Sequence, residues 1–569
     1  MRNNWTPLSR FPTSFSSTDP DPFSFIPSLG SVSASLLSRP WFVSKKMMAM
    51  GTEQFDAMQK IWLSKEGESQ KNTKNLLNGD PRFAAEEWSS SRLFGSLAFI
   101  YTAWRKTLFA LIDETPDLDE QTRLKARFFV EQIVEMVSPS NQLLLNPQAL
   151  EEMKKTKGLS LVRGFRNWLS DMKKGNNMPS QSQQGAFTIG VDLANTPGFV
   201  VARNELCEVI QYSSTTEKVH STPILIIPPW INKFYILDLG EQKSYVRYLV
   251  DQGHTVFLVS WKNPTKEMSQ TTFDDYIIKG AQFAKDVVSD ICGTVPAACG
   301  YCIGGTLLAT AQAYFKAKEI PAFSSLTFFN AMVDFDDVGD IKVFIDERAI
   351  RHIEQNMENK GFLDGVEMGS SFNYLRSKDL LWSYFVDNYL LGKTPRPFDM
   401  LAWNEDCTRM PAKMHGWYLR NMYLNNLLRV PGALHIDNTP IDLGLITEDI
   451  FLVASESDHI ALAKTVYRMH AYTKSKIQYV LASGGHIAGI VNHPNRKKGY
   501  HYTHEAISTP DHQDFTAWRE RAEKKEGSWW VLHHAWLSER GEEEQEVPSI
   551  GSTKFPSIEE APGQYVLEK

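Results

Sequence analysis

At 569 residues and 42% hydrophobic content, the chain can bury a large core and exceeds the usual size of one domain, so two domains with tails are expected. A formal charge of −7 supplies no basic field for nucleic acid, and no window approaches an uncharged apolar run long enough to span a bilayer. Nucleic-acid binding and integral membrane roles are set aside on those grounds, and five cysteines are too few for a disulfide scaffold and suit a reducing cytoplasm.

Residues 1–50 are rich in Ser, Pro and Phe without sustained periodicity and read as a disordered leader or a non-native extension. Asp19 and Asp21 spoil a likeness to a transit peptide, and Met47, Met48 and Met50 leave a later start open. Residues 51–185 read as a helical N-terminal domain, because apolar side chains recur at helical spacing through Leu93, Leu97, Ile100, Tyr101 and Trp104, then Ala126, Phe129, Val130, Ile133 and Val134. A run rich in Gln, Ser and Asn over residues 175–184 marks its boundary.

Residues 186–569 change character. Short apolar runs at 223–227, 254–259, 295–299, 325–329, 450–454 and 477–481 alternate with helical stretches, which predicts a parallel sheet covered on both faces. More than a hundred residues, roughly 331–440, separate the fourth run from the fifth and carry Trp382, Tyr384, Phe385, Trp403, Trp417 and Tyr418. An insertion of that length reads as a lid over a site or as an aromatic extension with its own core.

The third run leads into Gly300-Tyr301-Cys302-Ile303-Gly304-Gly305 and then a helix-forming stretch. Strand, sharp turn and helix, with glycines allowing close approach, make a nucleophile elbow and an α/β-hydrolase-like core in which Cys302 stands where serine is usual. The helix N-terminus favours its thiolate. Cys299 and Cys302 also form a C-x-x-C, which keeps a redox pair or half a zinc site in view, but no second C-x-x-C or nearby His-x-x-x-His completes a metal site. No metal or cofactor is expected.

A thiol nucleophile needs a base and the base an orienting acid, in the chain order nucleophile, acid, histidine. Asp458 follows the fifth run and His486, flanked by Gly484, Gly485 and Gly489, follows the sixth. Glu456 competes as the acid, and His459 and His493 compete as the base. Backbone donors for a tetrahedral oxyanion are expected from Ile303 and from the loop Pro228-Pro229-Trp230-Ile231-Asn232-Lys233, so Trp230, Ile231 and Asn232 are candidate substrate-binding residues, with His459 beside the acid as a fourth.

Taken together these segments resemble the polyhydroxyalkanoate synthases, or poly(3-hydroxyalkanoate) polymerases. The resemblance is carried by the box at Cys302, by Pro228 to Lys233 with the following Phe234-Tyr235-Ile236-Leu237, by Gly253-His254-Thr255-Val256, by Ser457-Asp458-His459-Ile460 and by Ser483-Gly484-Gly485-His486. It runs from about Asp80-Pro81-Arg82-Phe83 to Ala561-Pro562-Gly563 and looks like the class I, single-subunit type. It implies polymerisation of (R)-3-hydroxyacyl-CoA with release of CoA through a thioester on Cys302. His486 would then be the general base, and Asp458 would orient it or help activate the substrate hydroxyl. It also implies a cytoplasmic enzyme on polyester granules, a homodimer, contact with granule-coat proteins, and a lid over residues 331–440. The chain departs from the family where Gly527-Ser528-Trp529-Trp530 runs into Val531-Leu532-His533-His534 rather than Pro and Asp, and where Gln564 stands in place of Arg.

Overall fold

The computed structural model describes residues 21–77, 79–173, 178–183, 185–508, 514–541 and 543–569. Two compact units divide the chain, residues 1–183 with 369–397 and residues 184–368 with 398–569.

The first unit is helical. Where a disordered leader was expected, Phe25–Leu37 (α1) and Pro40–Trp62 (α2) are helices, and residues 1–20 lie outside the described residues. Tertiary burial overrides the unpromising composition. Phe25 packs on Phe128 and Phe129 with ring centroids 5.4 and 5.9 Å apart, Val32 joins Phe109 and Ile112, and Lys125 Nζ donates to the Phe23 carbonyl at 2.8 Å. Pro40 sits at the first turn of α2, where its missing N–H costs nothing. Helices α3 (Arg92–Asp113) and α4 (Glu120–Met136) follow, capped by Ser91 and Asp119. A buried polar node ties them together: Arg82 donates to Asp80 at 2.9 Å, Tyr101 at 2.8 Å and Glu135 at 2.7 Å. The apolar stripe expected to bury on α3 turns partly outward, Leu93 being 65% exposed, because Ala98, Phe99 and Tyr101 take the core face.

Residues 369–397, expected within the lid, belong to this unit. The Tyr389 carbonyl lies so close to Gly164 of α5 (Leu159–Lys173) that a Cβ there would overlap it. Asn167 Nδ2 donates to the carbonyls of Asn388 and Lys393 at 3.0 and 2.9 Å. The described part of the expected linker is buried too: Ser180 Oγ donates to Asp171 at 2.6 Å and Gln181 Nε2 to the Leu380 carbonyl at 2.7 Å.

The second unit is built on a 12-stranded mixed sheet. Its central strands are β1 (Gly198–Arg203), β2 (Cys207–Tyr212), β3 (Ile224–Ile227), β4 (Val256–Trp261), β5 (Ala297–Tyr301), β6 (Leu326–Phe329), β7 (Ile450–Ser455) and β8 (Lys476–Ala482). In space they run β1-β2-β4-β3-β5-β6-β7-β8, with β1 and β2 antiparallel and β3 to β8 parallel. That order is the α/β-hydrolase sheet. The β1–β2 hairpin escapes notice in the sequence because Glu208 and Gln211 interrupt its apolar pattern, and both are buried against partners from the C-terminal tail: Glu208 accepts from Gln564 and Tyr565, and Gln211 donates to the Ser549 carbonyl. Because the central strands are parallel and in register, the loops after β5, β6, β7 and β8 gather at one edge.

Replacing Phe25 with Ala removes a fully packed ring and is expected to cost about 3–5 kcal/mol of the first unit's stability. Urea unfolding followed by tryptophan fluorescence checks it, and an unchanged midpoint would place α1 outside the cooperative core.

Candidate active site

Cys302 follows β5 and caps α6 (Ile303–Ala317) with φ 52° and ψ −126°, a region L-residues rarely adopt. The glycines explain how the turn closes. A Cβ on Gly300 would lie 2.5 Å from Gly305 Cα, and one on Gly304 would overlap the carbonyl oxygens of Ile227 and Pro228. Strand and helix therefore cross at backbone contact, and the bend throws the sulfur outward at the helix start. Cys302 N–H donates to the Phe329 carbonyl at 2.8 Å, which pins the elbow to β6. The N–H of Ile303 is in the first helical turn, where no intrahelical acceptor reaches it.

The strand tips bring the partners in. His486 Nδ1 is 2.6 Å from Asp458 Oδ2, and the other oxygen of Asp458 accepts from Ile460 N and Ala461 N at 2.8 and 3.0 Å. The carboxylate is thereby fully engaged and its side chain has no solvent exposure, while that of His486 is 12% exposed. The Cys302 sulfur is near enough to the imidazole to act on its titration. Burial disfavours a charged imidazole, but the Asp458 carboxylate and the Cys302 sulfur outweigh it and hold His486 well above its ordinary value. The rival acid Glu456 is exposed and accepts from Tyr500 Oη at 2.8 Å. The rival base His493 packs its ring 5.5 Å from Trp530 and accepts from Asn495 N. His459 is half-buried, its carbonyl pressed against Gly339.

Two positioning residues escaped the sequence reading. Asn330, just past β6 with φ 45°, donates from Nδ2 to the His486 carbonyl at 2.8 Å and to Ser455 Oγ at 3.0 Å. Tyr301 Oη donates to the same carbonyl at 2.9 Å and its ring stacks on His486 with centroids 5.6 Å apart. An Asn directly after an apolar strand is the signal that could have found the first.

The Pro228 to Lys233 loop is clamped by the part of the insertion that belongs to this unit. Thr408 Oγ1 donates to the Trp230 carbonyl at 2.6 Å and accepts from Asn232 N at 2.8 Å, and Trp403 Nε1 donates to the Lys233 carbonyl at 2.7 Å. This corrects the expectation for Asn232: its N–H is spent on Thr408, and its amide points at the Trp403 and Asn404 carbonyls. Trp230 is a wall residue, its indole edge-on to Tyr418 at 6.3 Å and tilted over Tyr276 at 4.6 Å, and Ile231 is half-buried beside it. Tyr418 and Tyr423 complete an aromatic wall close enough to Cys302 that a thiolate there would raise both phenols, after burial, which is the larger cause. Arg420 is taken up by Glu347 and Glu354. All five cysteines are free, and burial pushes the Cys299 thiol up to about 12, leaving it a core residue rather than a reactive partner.

The family model described as "Poly-beta-hydroxybutyrate polymerase (PhaC) N-terminus" matches residues 79–249. The chain is 42% identical over 493 residues to the poly(3-hydroxyalkanoate) polymerase of Methylorubrum extorquens, covering 86% of this chain and 81% of that one. It is 39% identical over 497 residues to the poly(3-hydroxyalkanoate) polymerase subunit PhaC of Cupriavidus necator, covering 86% and 83%. Among solved structures, the Paleococcus ferrophilus monoacylglycerol lipase aligns over 47% of this chain and 88% of its own, with 13% identity and a TM-score of 0.29.

A histidine held above its ordinary value near 6.5 stabilises the folded state fully below that pH, and the contribution is lost as pH rises through the raised folded value. Asp458→Asn removes the main opposing charge. The stability gap between parent and variant is therefore expected to be widest in mildly acidic solution and to narrow towards alkaline pH in urea unfolding series.

Proposed function

The chain belongs to the poly(3-hydroxyalkanoate) polymerase family, and on that premise we propose that it polymerises (R)-3-hydroxyacyl-CoA, 3-hydroxybutyryl-CoA in the first place, into polyester carried on Cys302, with release of CoA. The observation that carries this reading is the line Cys302, His486, Asp458 at three strand tips of one sheet, with 2.6 Å between the last two.

In the proposed cycle His486 takes the thiol proton, and Asp458 holds the imidazole in the tautomer that leaves Nε2 free and supports its charge. The thiolate adds to the thioester carbonyl, whose developing oxyanion is met by the Ile303 N–H and a backbone donor of the Trp230 to Ile231 stretch. Collapse expels CoA thiolate, which recovers the proton from His486, and the acyl group remains on sulfur. The hydroxyl of the next acyl-CoA then gives its proton to His486 and attacks the new thioester, forming the ester bond and expelling the Cys302 thiolate; that thiolate attacks the CoA thioester of the lengthened chain, which returns to sulfur as CoA leaves with the proton from His486. Thioester exchange is nearly balanced energetically, so one sulfur can accept a chain and surrender it again. The steps written this way call on no metal or cofactor, CoA being part of the substrate.

Polymerisation further requires that the substrate hydroxyl defeat water. The aromatic wall of buried Trp230 and Tyr418 and half-buried Tyr423 supports that, because a thioester enclosed by rings leaves little room for a hydrated approach. The helical unit supports attachment to the polymer surface. It exposes Leu37 at 83%, Trp41 at 81% and Phe165 at 60%, and no helix among the described residues is long and apolar enough to cross a membrane. A cytoplasmic enzyme at the granule surface follows from the same proposal, with a second copy and coat proteins as its partners.

With 3-hydroxybutyryl-CoA the expected products are CoA and insoluble polyester; soluble hydroxy acid instead would make this a thioester hydrolase. Cys302→Ala is expected to lower CoA release by at least about 10⁴-fold and to abolish the acyl mass on the peptide holding residue 302. Release at the parent rate would discard the covalent route.

A further inference from the structure

Three histidines meet at the opposite end of the sheet from Cys302. His220 and His254 precede β3 and β4 at the strands' N-terminal edge, whereas Cys302 follows the C-terminal end of β5, which pairs in parallel with β3. His534 comes from α7 (Trp530–Ser538), on the segment where the chain departs from the family pattern. One ring nitrogen from each lies within 4.8 Å of the other two.

The hydrogen bonds at this point depend on which ring nitrogens carry the protons. His220 Nδ1 is 3.2 Å from the Gly541 carbonyl, which can only accept, so Nδ1 carries the proton and Nε2 presents a lone pair. That Nε2 faces Ser538 Oγ at 3.4 Å. Ser538 Oγ is also 3.4 Å from His534 Nδ1 and donates to the His534 carbonyl at 2.9 Å, so its proton is committed to the helix. His534 Nδ1 is in turn 3.1 Å from His254 Nε2. With His254 protonated on Nδ1 and His534 on Nε2, the three remaining ring nitrogens turn lone pairs towards one another, an arrangement that a cation at their centre satisfies. The Gly541 carbonyl behind His220 is the kind of outer partner that orients a metal-binding imidazole.

We propose that His220 Nε2, His254 Nε2 and His534 Nδ1 bind one divalent transition-metal ion of the zinc class, with water or Ser538 Oγ in the fourth position. Tetrahedral zinc with bonds of 2.0–2.1 Å holds its nitrogens about 3.3 Å apart. His254, 2% exposed, is the fixed ligand, while His220 and His534 are half-buried and close onto it by side-chain rotation. Solvent reaches His220 through an open cleft of about 470 Å³ whose lining also includes Glu217, Lys218, Asp251 and Glu544. The ion has no place in the acyl-transfer steps. It fastens the C-terminal helix, whose Trp530 and His533 are fully buried, to the strands that begin the core.

The test uses untagged, chelator-treated protein carrying Cys302→Ala, so that the active-site thiol cannot hold an ion. Zn²⁺ is expected to bind at one per chain by calorimetry and to raise the thermal midpoint, and Co²⁺ to give the visible absorption of a histidine-coordinated site. In the same background His220→Gln and His534→Gln are each expected to weaken Zn²⁺ binding by at least about tenfold and to cancel the thermal rise, with metal-free circular dichroism matching the parent. Absence of stoichiometric binding and of the Co²⁺ spectrum in the parent overturns the proposal, as does unchanged affinity in both folded variants.

Discussion

The backbone contact between β5 and α6 is the constraint on which the rest of the second unit depends. A non-glycine residue at φ 52° and ψ −126° is unfavourable by itself and persists only where its surroundings over-determine it. Here the surroundings are Gly300 against Gly305 and Gly304 against the end of β3, so the strain at Cys302 is held by side chains that are missing. A methyl group at either place would push helix and strand apart and lower the sulfur from its perch. The same crossing puts the first orphan N–H groups of α6 next to the sulfur, so nucleophile and oxyanion donor share one cause.

Around that bend, positions are fixed by carbonyls more than by charges. His486 is aimed through its own backbone oxygen, which receives Tyr301 and Asn330, and Asp458 is aimed through two N–H groups of the turn after it. Only the 2.6 Å contact between acid and imidazole is ionic. A triad assembled on such hydrogen bonds costs little reorganisation when charge moves, because the dipoles already point at its final place. The loop of Trp230 is treated the same way by Thr408 and Trp403, so part of the long insertion serves as a brace for the site floor as well as its wall.

What was legible in the sequence follows from locality. The parallel sheet and its elbow were readable because apolar runs and glycines report on neighbours within a few residues, and in such a sheet successive strand tips share one edge, which made Asp458 and His486 conspicuous. The helicity of residues 25–50 was hidden because Phe25 finds its partners at Phe128 and Phe129, a hundred residues downstream, and no local window registers that. Asn232 looked like a donor to substrate because nothing near it in sequence announces Thr408 as the acceptor of its N–H. The three-histidine cluster was invisible for the same reason, its members lying on two strand entrances and a distant helix.

The aromatic insertion shows where composition misleads. Residues 331–440 carry enough rings to look like one lid, yet rings do not declare which core they serve. Residues 369–397 pack in the helical unit, where Leu390 and Leu391 bury against Ala149 and Tyr389 bonds to Asp171 at 2.9 Å. The chain therefore passes between the two units three times, near residues 183, 368 and 397. A helical unit that borrows a strand of chain from the middle of the catalytic one is not a detachable N-terminal domain. Cutting near residue 185 would strip residues 369–397 of the face they bury, and the exposed leucines, not the lost helices alone, would decide how such a fragment behaves.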